Sequence, residues 1–522
     1  MDWGVTVTLP EFKNESLTDF SRPEERTAFE TALARVESQL GAEYPLVIDG
    51  QSRTTGEWID SLNPSHHGEV VGRVAKAGTA EAEEARDAAE RAFVHWSRVP
   101  GAERARVGLR AAAILRRRRH ELSALMVLEV GKNWIEADAD TAEAIDFLEY
   151  YARHAMRLDE PQPVTPAIHA ESELRYLPMG VGLAISPWNF PLAIAMGLVS
   201  SAVLTGNTVV LKPSSLTPII AARIVEVFEE AGLPDGVLNF VPGPGNSVGD
   251  YLVAHPRVRF VNFTGSREVG VHIYGAAARV PAGQIWLKRV IAEMGGKNAI
   301  IVDSSGDVDL AVPNIVASAF GFQGQKCSAC SRVIADASVY EEVVERVAQG
   351  AEALRVGPAK DFATNVGPLA DASQFRKVTE YIRTGRQQGR LVAGGEADDS
   401  VGYFVHPTVF ADVPPDASLM QEEIFGPVVG ITKAQDFEEA LAIANGAEYG
   451  LTGGVFARDP DKLTRARAEF QVGNLYLNRK ITGALVGVEP FGGFKMSGTD
   501  AKAGGPDYLK YFLEAKVISE RM

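Results

Sequence analysis

The chain has 522 residues, too many for one ordinary hydrophobic core, so two or more structural units with a cleft between them are expected. Hydrophobic residues make up 46% and charged residues 23%, which excludes extensive disorder. With 52 Lys plus Arg against 68 Asp plus Glu, the formal charge of -16 disfavours any sequence-independent grip on phosphate backbones, and no nucleic-acid partner is expected.

The opening stretch MDWGVTVTLPEFKNES carries acids and no basic-then-apolar leader, so a cytoplasmic location is expected. Residues 1–45 carry helix-like patterning, with Phe29, Leu33, Val36 and Leu40 at three- and four-residue spacing. Further helices are predicted over 79–99, 102–130 and 134–156. The arginine run 116–119 sits in such a stretch and reads as a solvated helix face or a subunit contact. Residues 176–211 contain no charge and are long enough to span a membrane. Pro178, Pro187, Pro191 and the Gly206-Asn207 turn break the run, which therefore reads as strand, helix, turn, strand, with no membrane span.

From Val181 strands alternate with helices: strands at 181–185, 208–212, 237–241 and 260–263, helices at 192–204, 219–231, 248–254 and 268–275. That is the pattern of a parallel α/β sheet. A second alternation runs from 298–302 through Val333 and Val409 to 430–454, giving two α/β domains. The two cysteines, Cys327 and Cys330 in CSAC, exclude a disulfide framework and favour a reducing compartment. No strand-to-helix pattern surrounds them, which weighs against a thioredoxin-type pair. No HExxH or paired Cys and His spacing occurs, so no metal is expected.

Three strand-ending turns make a candidate nucleotide site. Gly243-Pro-Gly245-Asn-Ser-Val-Gly249 is the dinucleotide fingerprint with one residue too many before its last glycine, and reads equally well as a plain turn. Thr264-Gly265-Ser266 precedes a helix whose free N–H groups favour a diphosphate. Lys212-Pro213-Ser214-Ser215 ends another strand with groups suited to ribose hydroxyls.

Cys327 lies in a glycine-bearing turn with Lys326 and Arg332 close in sequence, and positive charge there favours a nucleophilic thiolate. A small buried hydrophobe is the plainer alternative. Glu293 stands among apolar and glycine neighbours just before strand 298–302, where partial burial raises a carboxyl toward a working base; a solvated carboxylate is the alternative. Pro187 and Pro191 fix the loop holding Asn189, whose amide suits a developing oxyanion or simply completes a turn.

In order, PWNFP, KPS, PGPG, FTGS, EMGGKN, GQKCSACSR, EEIFGPV and PFGG resemble the aldehyde dehydrogenase superfamily over nearly the whole chain. The resemblance implies an α/β fold: a Rossmann-type NAD(P)-binding domain, an α/β catalytic domain and a small β-flap for oligomerisation. The units would be 1–157 with 178–292 for the N-terminal helices and NAD(P) binding, 293–496 for catalysis, and 158–177 with 497–522 for the flap and C-terminal tail. It implies Cys327 as nucleophile, acting through a thiohemiacetal and a thioester, Glu293 as base, and Asn189 with the Cys327 N–H as oxyanion hole. It implies Lys212 and Glu423 at ribose hydroxyls, Ser266 at the diphosphate, Phe425 at the nicotinamide riboside and Trp188 near it. Ile185, Ser186, Ser214, Ser215, Gly245, Gly249, Thr264 and Gly265 complete that site. NAD is the expected cofactor, and NADP is admissible because Ser215 stands where many NAD-preferring members carry a glutamate that repels a 2′-phosphate.

Within the superfamily, FKNESLTDFS, AEAIDFLEYYAR, NRKITGALVGVEPFGG and KAGGPDYL resemble the branch that oxidises L-glutamate γ-semialdehyde, the open form of 1-pyrroline-5-carboxylate, to L-glutamate in proline catabolism. This implies that N–H groups around Gly483 and Ala484, with Ser328, hold the α-carboxylate, that Glu143 lies near the α-ammonium, and that Phe190 and Phe491 enclose the aliphatic chain. A tight turn at Gly483-Ala484 and a core role for Phe491 are the alternatives. Glu489 departs from the glutamine common at its position. A homo-oligomer, dimer or higher, is also implied. Competing readings are another acid semialdehyde such as that of succinate, acyl transfer to coenzyme A, and a non-catalytic binding member of the fold.

Overall fold

The computed structural model describes residues 9–166 and 168–522; the first eight residues of the expected N-terminal unit and residue 167 of the expected flap lie outside them. Two seven-stranded sheets organise the chain. The first has the order Arg289–Glu293, Phe260–Thr264, Val181–Ile185, Thr208–Lys212, Leu238–Phe240, Leu46–Ile48, Gln51–Arg53. Its first five strands are parallel and its last two antiparallel. Three of the central strands are buried at every position, as a sheet covered on both faces requires. Its parallel part begins at Val181–Ile185, moves to one side through Thr208–Lys212 and Leu238–Phe240, then returns to the other side at Phe260–Thr264. That reversal opens a crevice at the carboxyl ends of Val181–Ile185 and Phe260–Thr264, the position where open α/β sheets receive ligands.

The second sheet has the order Arg390–Ala393, Thr408–Ala411, Val428–Ala434, Cys330–Asp336, Asn298–Val302, Thr452–Phe456, Asn474–Leu477. It is parallel except at the Arg390–Ala393 edge. Gly295 and Cys327, just ahead of two of its central strands, face the same crevice. Carboxyl ends of one sheet thus meet amino ends of the other.

The charge-free run 176–211 is the end of strand Ala170–Pro178, strand Val181–Ile185, helix Ala193–Leu204 and strand Thr208–Lys212. No helix among the described residues is long and apolar enough to cross a membrane. The helix expected over 102–130 is two helices, Gly101–Arg117 and Arg119–Val130, because Arg118 leaves helical geometry at φ -100°, ψ 13°. The arginine run is engaged within the chain: Arg116 pairs with Glu15 and Glu149, Arg117 with Glu230, Arg118 with Glu121 and Glu226, and Arg119 with Asp138. Strand Arg289–Glu293 and the small sheet Ala42–Tyr44, Val70–Ala75, Trp58–Leu62 were not expected. Strand Ala170–Pro178 pairs antiparallel with Leu513–Arg521 in a separate two-stranded ribbon.

Asn207, in the expected turn, joins three parts of the chain. Its Oδ1 accepts from the N–H groups of Met179 (2.7 Å) and Gly180 (2.9 Å), and its Nδ2 donates to Thr205 Oγ1 (3.0 Å) and to the Phe512 carbonyl (2.9 Å). Asn207→Ala strands these buried partners and should cost about 3 kcal/mol, read as a lower midpoint in denaturant unfolding.

Candidate active site

The crevice is a cavity of about 760 Å³. Every residue expected at the cofactor lines it: Ile185, Ser186 and Trp188 after the first strand, and Lys212, Ser214 and Ser215 after the second. Gly245 and Gly249 contribute from the glycine turn, Thr264, Gly265 and Ser266 from the fourth strand, and Glu423 and Phe425 from the second sheet's side. The surplus residue in the glycine fingerprint is taken up by a wider π-helical turn, Gly245–Gly249, that runs into helix Asp250–Ala254. Ser266 caps helix Arg267–Ala277, its Oγ accepting from Val269 N–H at 3.4 Å, so a helix N-terminus with its partial positive charge meets the cavity. Lys212 is buried, its Nζ donates to the Pro213 carbonyl at 3.1 Å, and burial pushes its ammonium down to about 8. Trp188 and Phe425 meet edge to face, with centroids 5.3 Å apart. A helix start, a lysine, a carboxylate and two aromatic rings on one wall fit a polyhydroxylated diphosphate with planar bases.

Two adjacent glycines let the segments on the second sheet's side of the crevice pack closely on one another. A Cβ on Gly295 would lie 2.3 Å from Glu423 Oε2, and one on Gly296 would lie 2.5 Å from the Cys327 carbonyl oxygen. The Glu423 carboxylate accepts from Gly296 N–H at 2.9 Å.

Behind the crevice is a second cavity, of about 230 Å³, lined by Glu143, Phe190, Glu293, Ser328, Gly483, Ala484 and Phe491. Cys327 lines both cavities. Its backbone is pinned by Asn298, whose Nδ2 donates to the carbonyls of Cys327 (2.7 Å) and Ala329 (2.9 Å) while its Oδ1 accepts from Thr452 N–H (3.0 Å). The preceding turn is left-handed at Phe322 (φ 47°), Gln323 (φ 57°) and Gly324 (φ 65°). Two buried glutamines hold it: Gln323 Nε2 donates to the carbonyls of Gly131 (2.9 Å) and Pro368 (2.8 Å), and Gln325 Oε1 accepts from Ala370 N–H (2.9 Å). Asn189 Nδ2 donates to the Gln325 carbonyl at 3.1 Å, tying the expected oxyanion donor to the cysteine turn.

Glu293 ends the unexpected strand Arg289–Glu293, paired in register with Thr264. On the other side Met294 N–H donates to the Ser497 carbonyl (2.8 Å) and Ala292 N–H to Thr499 Oγ1 (3.1 Å). Its Oε1 is buried without a hydrogen-bond partner among the described residues, and burial holds the carboxyl well above the usual range. The Cys327 thiol is pushed up chiefly by burial and further by the negative charge of Glu293 and Glu423.

This corrects the expectation that Lys326 and Arg332 favour a resting thiolate. Lys326 Nζ is paired with Glu136 at 2.7 Å, and Arg332 donates to the carbonyls of Lys297, Ile443 and Ala444. Closeness in sequence does not fix the direction of a long side chain.

Burial, and then the neighbouring Asp140, push the Glu143 carboxyl up to about 8. Glu489 braces the loop that carries Gly483 and Ala484: one oxygen pairs with Arg479 at 2.5 Å, and the other accepts from Leu485 N–H at 2.9 Å. The N–H groups of Gly483 and Ala484 donate to nothing among the described residues.

Sequence reasoning missed Asn298 and the buried pair Lys132–Asp140. Asn298, a polar residue heading an otherwise aliphatic buried strand, was a legible signal. Lys132 Nζ lies 2.8 Å from Asp140 Oδ2 and 3.7 Å over the Phe190 ring, and Asp140 Oδ1 accepts from Ala193 N–H at 2.6 Å. These contacts set the ring against the cavity, and nothing local in the sequence announces them.

A cysteine between a nucleotide-shaped crevice and a smaller pocket behind it, with an amide donor and a buried carboxyl beside it, is the arrangement of an aldehyde-oxidising enzyme. The aldehyde dehydrogenase family matches residues 51–518, and the chain belongs to that family. Among individual proteins, the chain is 58% identical over 509 residues to a 1-pyrroline-5-carboxylate dehydrogenase of Geobacillus sp. (strain WCH70), covering 98% of this chain and 99% of the relative. It superposes with a TM-score of 0.97 on the crystal structure of 1-pyrroline-5-carboxylate dehydrogenase from Thermus with bound NAD, at 54% identity and covering 99% and 100% of the two chains. It also matches proline utilization A from Bdellovibrio bacteriovorus inactivated by N-propargylglycine, with TM-score 0.96 and 45% identity, covering 98% of this chain and 53% of that one.

Two outcomes follow from the site's geometry. Asn298→Ala frees the nucleophile's backbone and should lower kcat for aldehyde oxidation about a hundredfold, in protein whose circular dichroism stays native. Burial raises both the Cys327 thiol and the Glu293 carboxyl above their ordinary values, so the reactive anions grow as pH rises. A kcat/KM profile should therefore keep climbing above the ordinary carboxylate range instead of levelling off there.

Proposed function

We propose that the chain oxidises L-glutamate γ-semialdehyde, formed from 1-pyrroline-5-carboxylate, to L-glutamate in proline catabolism, with NAD as cofactor. The observation that carries this reading is one small cavity with unpaired N–H groups at Gly483 and Ala484, the Glu143 carboxyl, and Cys327 and Glu293. Those groups match an α-carboxylate, an α-ammonium and an aldehyde on one short chain, and the relatives' names point to the same substrate.

In this reading the thiol first gives its proton to water, the Cys327 thiolate attacks the aldehyde carbon, and the Asn189 amide with the Cys327 N–H stabilises the oxyanion of the thiohemiacetal. NAD, when bound in the larger cavity, supplies the hydride acceptor. With the acyl group left on sulfur as a thioester, Glu293 takes a proton from water, and hydrolysis releases the carboxylate. Ser328, Phe190 and Phe491 would enclose the substrate chain. Lys212, Glu423 and Ser266 would hold ribose and diphosphate, with Trp188 and Phe425 toward the nicotinamide. Ser215 leaves room for NADP.

The proposed units are 1–157 with 178–292 for cofactor binding, 293–496 for catalysis, and 158–177 with 497–522 for assembly. The ribbon Ala170–Pro178 with Leu513–Arg521 leaves Val517 and Ile518 exposed, which supports a homo-oligomer covering it. Two free cysteines support a cytoplasmic setting.

Steady-state kinetics test the substrate. The native protein should prefer glutamate semialdehyde over succinate semialdehyde and propanal by more than tenfold in kcat/KM, and Glu143→Ala should lose about tenfold on the amino-bearing substrate and less on succinate semialdehyde. Comparable efficiency on all three, or no effect of Glu143→Ala on glutamate semialdehyde, favours the succinate-type alternative.

A further inference from the structure

The smaller cavity holds a cation that none of the roles above uses. Lys480 lines it beside Thr482, Gly483 and Ala484. Its ammonium lies at the anchor loop itself: a Cβ built on Gly483 would sit 3.6 Å from Lys480 Nζ. The backbone there is left-handed, with Gly483 at φ 74°.

The other charges on this wall are spent on each other. Lys326 is paired with Glu136, and Arg479 with Glu489. Lys480 makes no ion pair among the described residues, while the neighbouring Gly483 and Ala484 N–H groups have no acceptor. Three donors, one of them an ammonium, therefore line one cavity without a hydrogen-bond or ion-pair partner among the described residues.

The electrostatics run the same way. Burial lowers the Lys480 ammonium from its ordinary value, the like charge of Lys326 lowers it further, and Glu136, already paired with Lys326, offsets this only in part. The two carboxyls deeper in the cavity do not offset it, since burial pushes Glu143 up to about 8 and Glu293 well above its usual range. A carboxylate arriving at the loop would supply the missing counter-charge.

We infer that Lys480 is a specificity-determining residue, its ammonium receiving the substrate carboxylate together with the Gly483 and Ala484 N–H groups and selecting acid semialdehydes over uncharged aldehydes. This rests on the substrate reading above. The cavity's backbone donors fix where the carboxylate sits; Lys480 fixes how strongly a carboxylate-bearing aldehyde is preferred to an uncharged one. Because the side chain is partly open to solvent, its pull is screened and remains sensitive to salt.

The test compares kcat/KM for glutamate semialdehyde and for propanal in the native protein, in Lys480→Gln and in Lys480→Arg, at low and high ionic strength. In Lys480→Gln the ratio of the two efficiencies should fall about tenfold, mainly through KM for the acid semialdehyde, and Lys480→Arg should recover most of it. Added salt should erode the native ratio and leave that of Lys480→Gln nearly flat. Equal proportional losses on both substrates, or a ratio that survives the substitution, overturn the inference alone. A native protein that oxidises propanal but not glutamate semialdehyde overturns the substrate reading, and this inference with it.

Discussion

The site depends on keeping two acids, the Cys327 thiol and the Glu293 carboxyl, in a place too poor in water to ionise either readily. Burial is the largest cause of the upward shift for both, and each would penalise the other's charge. A resting nucleophile in that setting is protected from stray electrophiles and oxidants, since the thiol is much less reactive than its anion. The surrounding architecture serves that junction. One sheet delivers a carboxylate at the end of Arg289–Glu293, and the other delivers the thiol just ahead of Cys330–Asp336.

The division of the interior into two cavities follows from the same placement. The larger is walled by strand-end turns, a helix start and aromatic rings, and suits a long, polar cofactor. The smaller is walled by Phe190, Phe491 and charged groups, and suits a short zwitterion. Cys327 belongs to both walls, so whatever is attached to its sulfur faces both compartments. The tandem glycines and Asn298 serve this closeness by removing Cβ atoms and by gripping the backbone carbonyls of Cys327 and Ala329.

Much of this was readable in the sequence, for definite reasons. Strands at 181–185, 208–212 and 298–302 were read with the bounds they have, because buried β-rich runs bordered by turn signals admit few other readings. The break at Arg118 was not read, since the apolar pattern continues across it from Ile114 and Leu115 to Leu122. Strand Arg289–Glu293 was hidden by charged residues at both of its ends, and the strands of the small sheet 42–75 are short and half-exposed. At the site, motif order brought the right residues to the right cavities. Side-chain direction was another matter: Lys326 turns to Glu136, 190 residues earlier in the chain, a partner that no reading of its neighbours reveals.

The left-handed turn at Phe322, Gln323 and Gly324 has a consequence for how the enzyme spends its conformational freedom. Two non-glycine residues in that region disfavour the turn by roughly 2 to 4 kcal/mol, which the buried glutamine contacts and the packed Phe322 ring must offset. That ordering is completed once, when the chain folds. Each turnover then starts from a nucleophile already aimed, and the entropy of aiming it does not recur with every substrate molecule.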